Sequence, residues 1–211
     1  MEKWKWGVVA VLFASVFGYG SWQALSEQKT ANALVAAPGE PPTAEPLMKL
    51  ETAPEYENLV GKPLPAWNIP TAFWTNGKAV SPASLKGQIS LVEIFRIKCS
   101  HCQEAAPHMQ HLQKTYGPKG LKIVALQAPA RAPEENDWNL VQQTVGPLGW
   151  GLNYPVGFDA KAAYFKGKIG GRKVPTIFLL DREGRVMLGL NGHNEKIGRA
   201  LEDRIQKELQ K

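Results

Sequence analysis

Two seven-residue stretches, "ISLVEIF" at 89–95 and "LKIVALQ" at 121–127, constrain the fold of this chain more than anything else in it. Each is β-branched and almost wholly apolar, the pattern of a strand buried on both faces, so cover is needed above and below. Between them, residues from about Cys99 to Tyr116 read as a helix that Gly117-Pro118 ends. Pro133-Glu134-Glu135 opens a further helix to about Val145, with proline in the first turn and acids at the positive end of the dipole. A short strand at Tyr154 to Val156 and a short helix near Ala160 to Phe165 follow. "TIFLLDREGRVMLGL" then reads as two strands joined by the turn Asp181-Arg182-Glu183-Gly184. Asn194 caps a closing helix in which Ile197, Ala200, Leu201, Ile205 and Leu209 recur at helical spacing. Upstream, "FWTNGKAV" places Asn76-Gly77 between short apolar stretches, a strong hairpin signal. The order implies an α/β fold: a mixed central sheet flanked by helices on both faces, with an N-terminal β-hairpin extension.

The amino terminus is of a different kind. After Lys3 and Lys5, residues Trp6 to Leu25 run for 20 positions without a charge, about the length of a membrane-spanning helix. A secretory signal is the alternative, and a small-x-small pattern exists at Ala31-Asn32-Ala33, far from the apolar run. The tryptophans favour an uncleaved anchor: Trp4 to Trp22 spans about 27 Å at helical rise, close to the hydrocarbon thickness. In either case Lys3 and Lys5 stay cytoplasmic by the positive-inside rule, and everything after residue 25 lies on the extracytoplasmic, periplasmic side of the cell membrane. Residues 26–60, rich in Ala, Pro and Glu, read as a flexible tether, within which Leu47, Met48 and Leu50 are candidates to pack locally on the domain. Residues 61–211 are then a single folded domain.

Charge narrows the partners only a little. Residues 1–60 hold four Lys and seven Glu, and the chain as a whole 25 Lys+Arg against 19 Asp+Glu, so residues 61–211 carry a formal +9. The basic residues are scattered, and no aromatic-interleaved basic stripe or nucleic-acid motif is present, so a nucleic-acid partner is not expected.

The chain has two cysteines, and they stand three positions apart in "RIKCSHCQEAAP". A bridge closing so small a loop removes little entropy from the unfolded chain, so a purely structural staple is a poor explanation. The C-x-x-C spacing does permit alternation between dithiol and disulfide with little backbone movement. It also follows a buried strand and opens a helix, where unpaired amides and the dipole favour an anion. Cys99 is therefore expected to be the acidic, exposed nucleophile and Cys102, one turn in, the buried resolving thiol. Lys98 and His101 add positive charge or donors nearby. Metal binding is the rival reading, because His101, His108 and His111 are close in sequence. At about 100° per residue, however, neither His108 nor His111 shares the face of Cys102. Both histidines read as solvated helix residues, and no metal site is expected. Copper(I) held by Cys99 and Cys102 alone stays open as a binding function without turnover.

The segments "SLVEIFRIKCSHCQEAAP" and "RKVPTIFLLDREGRV" together resemble the thioredoxin superfamily, specifically its membrane-anchored, extracytoplasmic thiol:disulfide oxidoreductases of the TlpA and ResA type. The resemblance covers about residues 61–211 as organisation. It implies a cis peptide before Pro175 that lies against the cysteines and, with Val174, offers backbone groups to an extended substrate; a trans-proline strand start is the alternative. Ser100 and His101, between the cysteines, become the other substrate-facing candidates. Glu93, six positions before Cys99, matches the buried carboxylate that exchanges a proton with the resolving thiol, since burial in an apolar strand raises a carboxyl pKa toward neutrality. A Glu93 facing water or paired with Lys98 or Arg96 is the competing reading. The resemblance further implies exported protein thiols or disulfides as substrates, such as apocytochromes c or copper-site proteins, and electrons from a membrane thiol donor. No organic cofactor is called for. Two departures are visible: Lys98 replaces the aromatic residue common before the first cysteine, and Ala105 stands where many relatives carry an acid. A peroxidase is disfavoured, because peroxide chemistry needs a Thr and Arg arrangement around one cysteine that is not found here.

Overall fold

A computed structural model of the chain describes residues 46–130 and 132–211. The anchor or signal reading of residues 1–25, and the tether reading as far as residue 45, lie outside the described residues. Among the described residues, no helix is long and apolar enough to cross a membrane.

Five strands form one sheet: β1 (Ile89–Phe95), β2 (Leu121–Gln127), β3 (Val156–Phe158), β4 (Thr176–Leu180) and β5 (Val186–Asn191), in the order β3-β2-β1-β4-β5. β1 runs parallel to β2 and β2 to β3, whereas β4 is antiparallel to both β1 and β5, so the sheet is mixed as expected. β1 sits at the centre with every residue buried, which is why its sequence shows no polar alternation.

Helix α1 (Ser100–Tyr116) buries Cys102, Ala105, Ala106, Met109, Leu112 and Tyr116, one stripe at three- and four-residue spacing. Each large member of that stripe contributes about 1.5–3 kcal/mol by leaving water. The second helix, α2 (Trp138–Val145), begins later than Pro133 because Asp137 takes the capping position. Its Oδ1 accepts the Asn139 and Leu140 N–H groups at 2.9 and 3.4 Å, and Pro133–Asn136 is left as a 3₁₀ turn. Helix α3 (Glu195–Leu209) is capped by Asn194, whose Oδ1 accepts the Ile197 N–H at 2.9 Å. All three α-helices contribute to one apolar cluster with Leu91 and Phe95 of β1. The opposite cluster is closed by short turns and irregular chain rather than by α-helices: Tyr56, Leu64, Trp67, Trp74, Leu85, Tyr164 and Phe165.

That second cluster overturns two expectations. The boundary at residue 60 falls inside the folded unit, which begins at Leu47. Tyr56 is fully buried, its ring edge-on to Phe178 at 4.9 Å and its hydroxyl 3.1 Å from Thr176 Oγ1. The Tyr56 ring, with the Ala53 N–H donating to the Gly189 carbonyl and the Gly61 N–H to the Val186 carbonyl, each at 2.8 Å, draws the end of a Pro/Glu-rich stretch onto the sheet. The expected hairpin around Asn76-Gly77 is also absent as a pair of strands. Gly77 does make the turn, donating its N–H to the Trp74 carbonyl at 3.0 Å with φ +64°. The flanking residues instead cover the edge of β3: Trp74 bridges Gly157, and Thr75 and Val156 exchange hydrogen bonds of 3.0 and 3.1 Å. Closing an open sheet edge and burying the indole over a residue without a side chain outweigh local hairpin pairing.

Candidate active site

Cys99 occupies the capping position of α1, and its Sγ accepts the N–H of Cys102 at 3.2 Å. The sulfur thus takes the place a Ser or Asp oxygen has in an ordinary cap, with the positive end of the helix dipole directed at it. Cys99 is half-buried and Cys102 fully buried; the two form a disulfide with Cα atoms 5.2 Å apart. This division, one reachable sulfur and one enclosed, is the one expected of a nucleophile and its resolving partner.

The Val174–Pro175 peptide is cis. It lies against the cysteines: the Val174 carbonyl oxygen is 3.8 Å from Cys99 Sγ. The loop is fixed from behind, since Gly192 N–H donates to the Pro175 carbonyl at 2.7 Å. Thr176 Oγ1 donates to the Lys173 carbonyl at 2.7 Å and lies 3.1 Å from Asn191 Oδ1. Tyr56, 120 positions upstream, completes this bracket through Thr176. Beside Cys99 opens a groove of about 530 Å³ bounded by Lys98, Lys173, Val174, Asn191 and Gly192.

Glu93 is 2% exposed. It neither faces water nor pairs with a cation, because Lys98 reaches Glu134 at 3.8 Å and Arg96 Nε donates to the Ala128 carbonyl at 3.2 Å. Burial pushes its carboxyl up to about 7, against the smaller opposing effect of a hydrogen bond from the Tyr154 hydroxyl at 3.2 Å. Such a group exchanges protons at neutral pH. Ser100 and His101 are exposed at the start of α1, and the His101 ring is turned to Glu104 at 3.3 Å.

His111 is exposed as expected, with Nε2 3.1 Å from Glu202 Oε1. His108 is not: its side chain is 19% exposed and lies against His193, ring nitrogens 3.0 Å apart. The segment after β5 folds back over α1 and covers it, a contact that helix geometry alone does not reveal. Burial holds His108 below the usual histidine range and, with His108 beside it, brings His193 down to about 4. Among the described residues, no group of three or more His, Cys, Asp or Glu side chains is arranged to hold a metal ion.

Sequence reasoning missed Tyr154, Tyr56, Thr176 and Asn191. Tyr154 stands 61 positions from Glu93 and no local pattern marks it; it reads as the start of a short strand that the structure begins at Val156 instead.

With a sulfur-capped helix facing a cis-proline loop, comparison with known proteins becomes decisive. The Redoxin family model matches residues 59–200. The chain belongs to this family. It is 32% identical over 123 residues to the thiol-disulfide oxidoreductase ResA of Bacillus thuringiensis, which covers 57% of this chain and 64% of that protein. The chain therefore spans a little under two thirds of that relative's length. It is 26% identical over 138 residues to protein DipZ of Mycobacterium tuberculosis, covering 64% of this chain and 18% of DipZ. Among solved structures it is similar to a putative thiol:disulfide interchange protein DsbE from Chlorobium tepidum, with TM-score 0.57 and 24% identity over 77% of this chain and 99% of that one. A thioredoxin family thiol:disulfide interchange protein from Chlorobium tepidum TLS gives TM-score 0.54 and 26% identity over 70% and 95%. The fold of this Redoxin member is thioredoxin-like.

Proposed function

We propose that the chain is a thiol:disulfide oxidoreductase that reduces disulfides of exported proteins, held at the outer face of the cell membrane by residues 6–25. One observation carries the reading: the half-buried Cys99 sulfur caps a helix 3.8 Å from the Val174 carbonyl. The reduced pair supplies two electrons and two protons. Cys99, as thiolate, attacks one sulfur of a substrate disulfide, forming a mixed disulfide and releasing the other sulfur as a thiol. Cys102 then gives its proton to Glu93, attacks the Cys99 sulfur and closes the intramolecular disulfide, while the second substrate sulfur leaves and is protonated. A membrane thiol donor restores the dithiol, and anchoring raises the local concentration of that donor. Val174 and Pro175 hold the substrate segment as an added strand, with Ser100 and His101 exposed beside it. The relatives' names support disulfide chemistry; apocytochromes c and copper-site proteins are the substrates we infer.

Full-length Cys102→Ser in cells tests this, because it traps the first intermediate. Mixed disulfides with extracytoplasmic proteins are expected, sensitive to reductant and lost in Cys99→Ser. A trap that captures nothing refutes the assignment, and copper(I) binding that survives Pro175→Ala with no disulfide exchange would point to metal carriage instead.

A further inference from the structure

Glu93 has no side-chain partner on the adjoining strands, where its register neighbours are Ala125 and Ile177. The partner comes from a different part of the chain. Tyr154 stands two residues ahead of Val156, whose register partner on β2 is Ala125. Tyr154, Val156 and Phe158 belong to the same core cluster as Leu91 and Phe95, so they share the sheet face on which Glu93 alternates with those two residues. The Ala125 N–H donates to the Pro155 carbonyl at 2.9 Å and pins the Tyr154-Pro155 corner to β2. With only a methyl group at position 125, the phenol ring crosses β2 unobstructed. Its hydroxyl, in a side chain 5% exposed, then reaches Glu93 Oε2 at 3.2 Å.

We propose that Tyr154 is a positioning residue for the release step: its donated hydrogen bond holds the Glu93 carboxylate in one orientation and in the charged form that can take the Cys102 proton. This rests on the reading of Glu93 as the proton acceptor for Cys102. Burial and the Tyr154 bond are the influences that move Glu93, and no charged side chain contributes. β2 and β4 present Ala125 and Ile177, and α3 contributes Leu201 and Ile205 to the cluster. From α1, Cys102 and Tyr116 are the titratable members of that cluster, and the Tyr116 hydroxyl is taken up by Glu202 Oε1 at 2.9 Å. Tyr154 stays a neutral donor throughout, since burial and the neighbouring Glu93 raise its own ionisation well above the usual range. A donor to a charged acceptor in such surroundings changes the ionisation constant about tenfold.

Tyr154→Phe keeps the ring and removes the donor. The titration of Glu93 in the oxidised protein, followed by its carboxyl infrared band or by carbon NMR, is expected to move up about tenfold in proton affinity. Resolution of a preformed mixed disulfide at pH 7 then slows about fivefold and recovers at higher pH, while the first attack by Cys99 keeps its pH profile. In a Glu93→Gln background, Tyr154→Phe changes nothing further. An unmoved Glu93 titration overturns the proposal, as does an equal slowing in the Glu93→Gln background. A Glu93→Gln protein whose release step keeps the wild-type pH profile is a separate outcome that removes the acceptor reading, and the positioning role with it. Should Tyr154→Phe fail to fold, 3-fluorotyrosine at position 154, a stronger donor, is expected to move the Glu93 titration down; no movement there counts against the proposal equally.

Discussion

Glu93→Gln makes a stability prediction that does not depend on catalysis. The group ionises near its ordinary 4.5 in the open chain and at about 7 in the folded protein, chiefly because burial disfavours its charge. Its folded value is raised, so its contribution to stability is fully present below pH 4.5 and is lost as pH rises through 7. The interval between the two values corresponds to about 3 kcal/mol. His193 acts in the opposite sense: it ionises at about 4 when folded against an ordinary 6.5, so the stability it lends is present above 6.5 and lost as pH falls through 4. A single pH–stability curve would mix the two, and the difference between wild type and Glu93→Gln separates them. Urea unfolding of both oxidised proteins from pH 4 to 9 is the assay, with the disulfide kept intact so that neither thiol titrates. The glutamine variant is expected to gain about 3 kcal/mol on wild type between the ends of that range, with the midpoint of the gain between pH 5 and 7. A difference that stays constant across pH would show that Glu93 ionises alike in both states, and the burial argument would fall.

Two further outcomes concern the cover of the second sheet face. Tyr56→Ala should cost about 3–5 kcal/mol in equilibrium unfolding, and Tyr56→Phe only about 1, because the ring keeps its packing and the Thr176 hydroxyl still donates to the Lys173 carbonyl. A chain starting at residue 61 that is as stable as one starting at 46 would refute the packed role of this segment. Gly157→Val should cost at least 1–3 kcal/mol, because a Cβ there meets the Trp74 ring at 2.8 Å. The loss should largely disappear in a Trp74→Ala background, as thermal unfolding of the four proteins would reveal.

Much of this protein was readable from local pattern alone. The limits of β1 and β2 followed from runs of β-branched and apolar residues, because a strand with both faces covered cannot hide its composition. The cysteine pair at a helix start was readable for the same kind of reason: capping and dipole effects act within one turn of chain. The pairing of Val174–Pro175 with the cysteines came from resemblance, and the 3.8 Å approach to Cys99 gives that resemblance its physical content. What the tertiary structure alone decided are the contacts between residues far apart in the chain: Tyr154 on Glu93, Tyr56 behind Thr176, His193 over His108 and Trp74 against Gly157. In each, a polar or aromatic group finds its partner only after the sheet has set the register of distant segments. The energy that selects such a pair is absent from the sequence neighbourhood of either member, and no periodicity could have announced it.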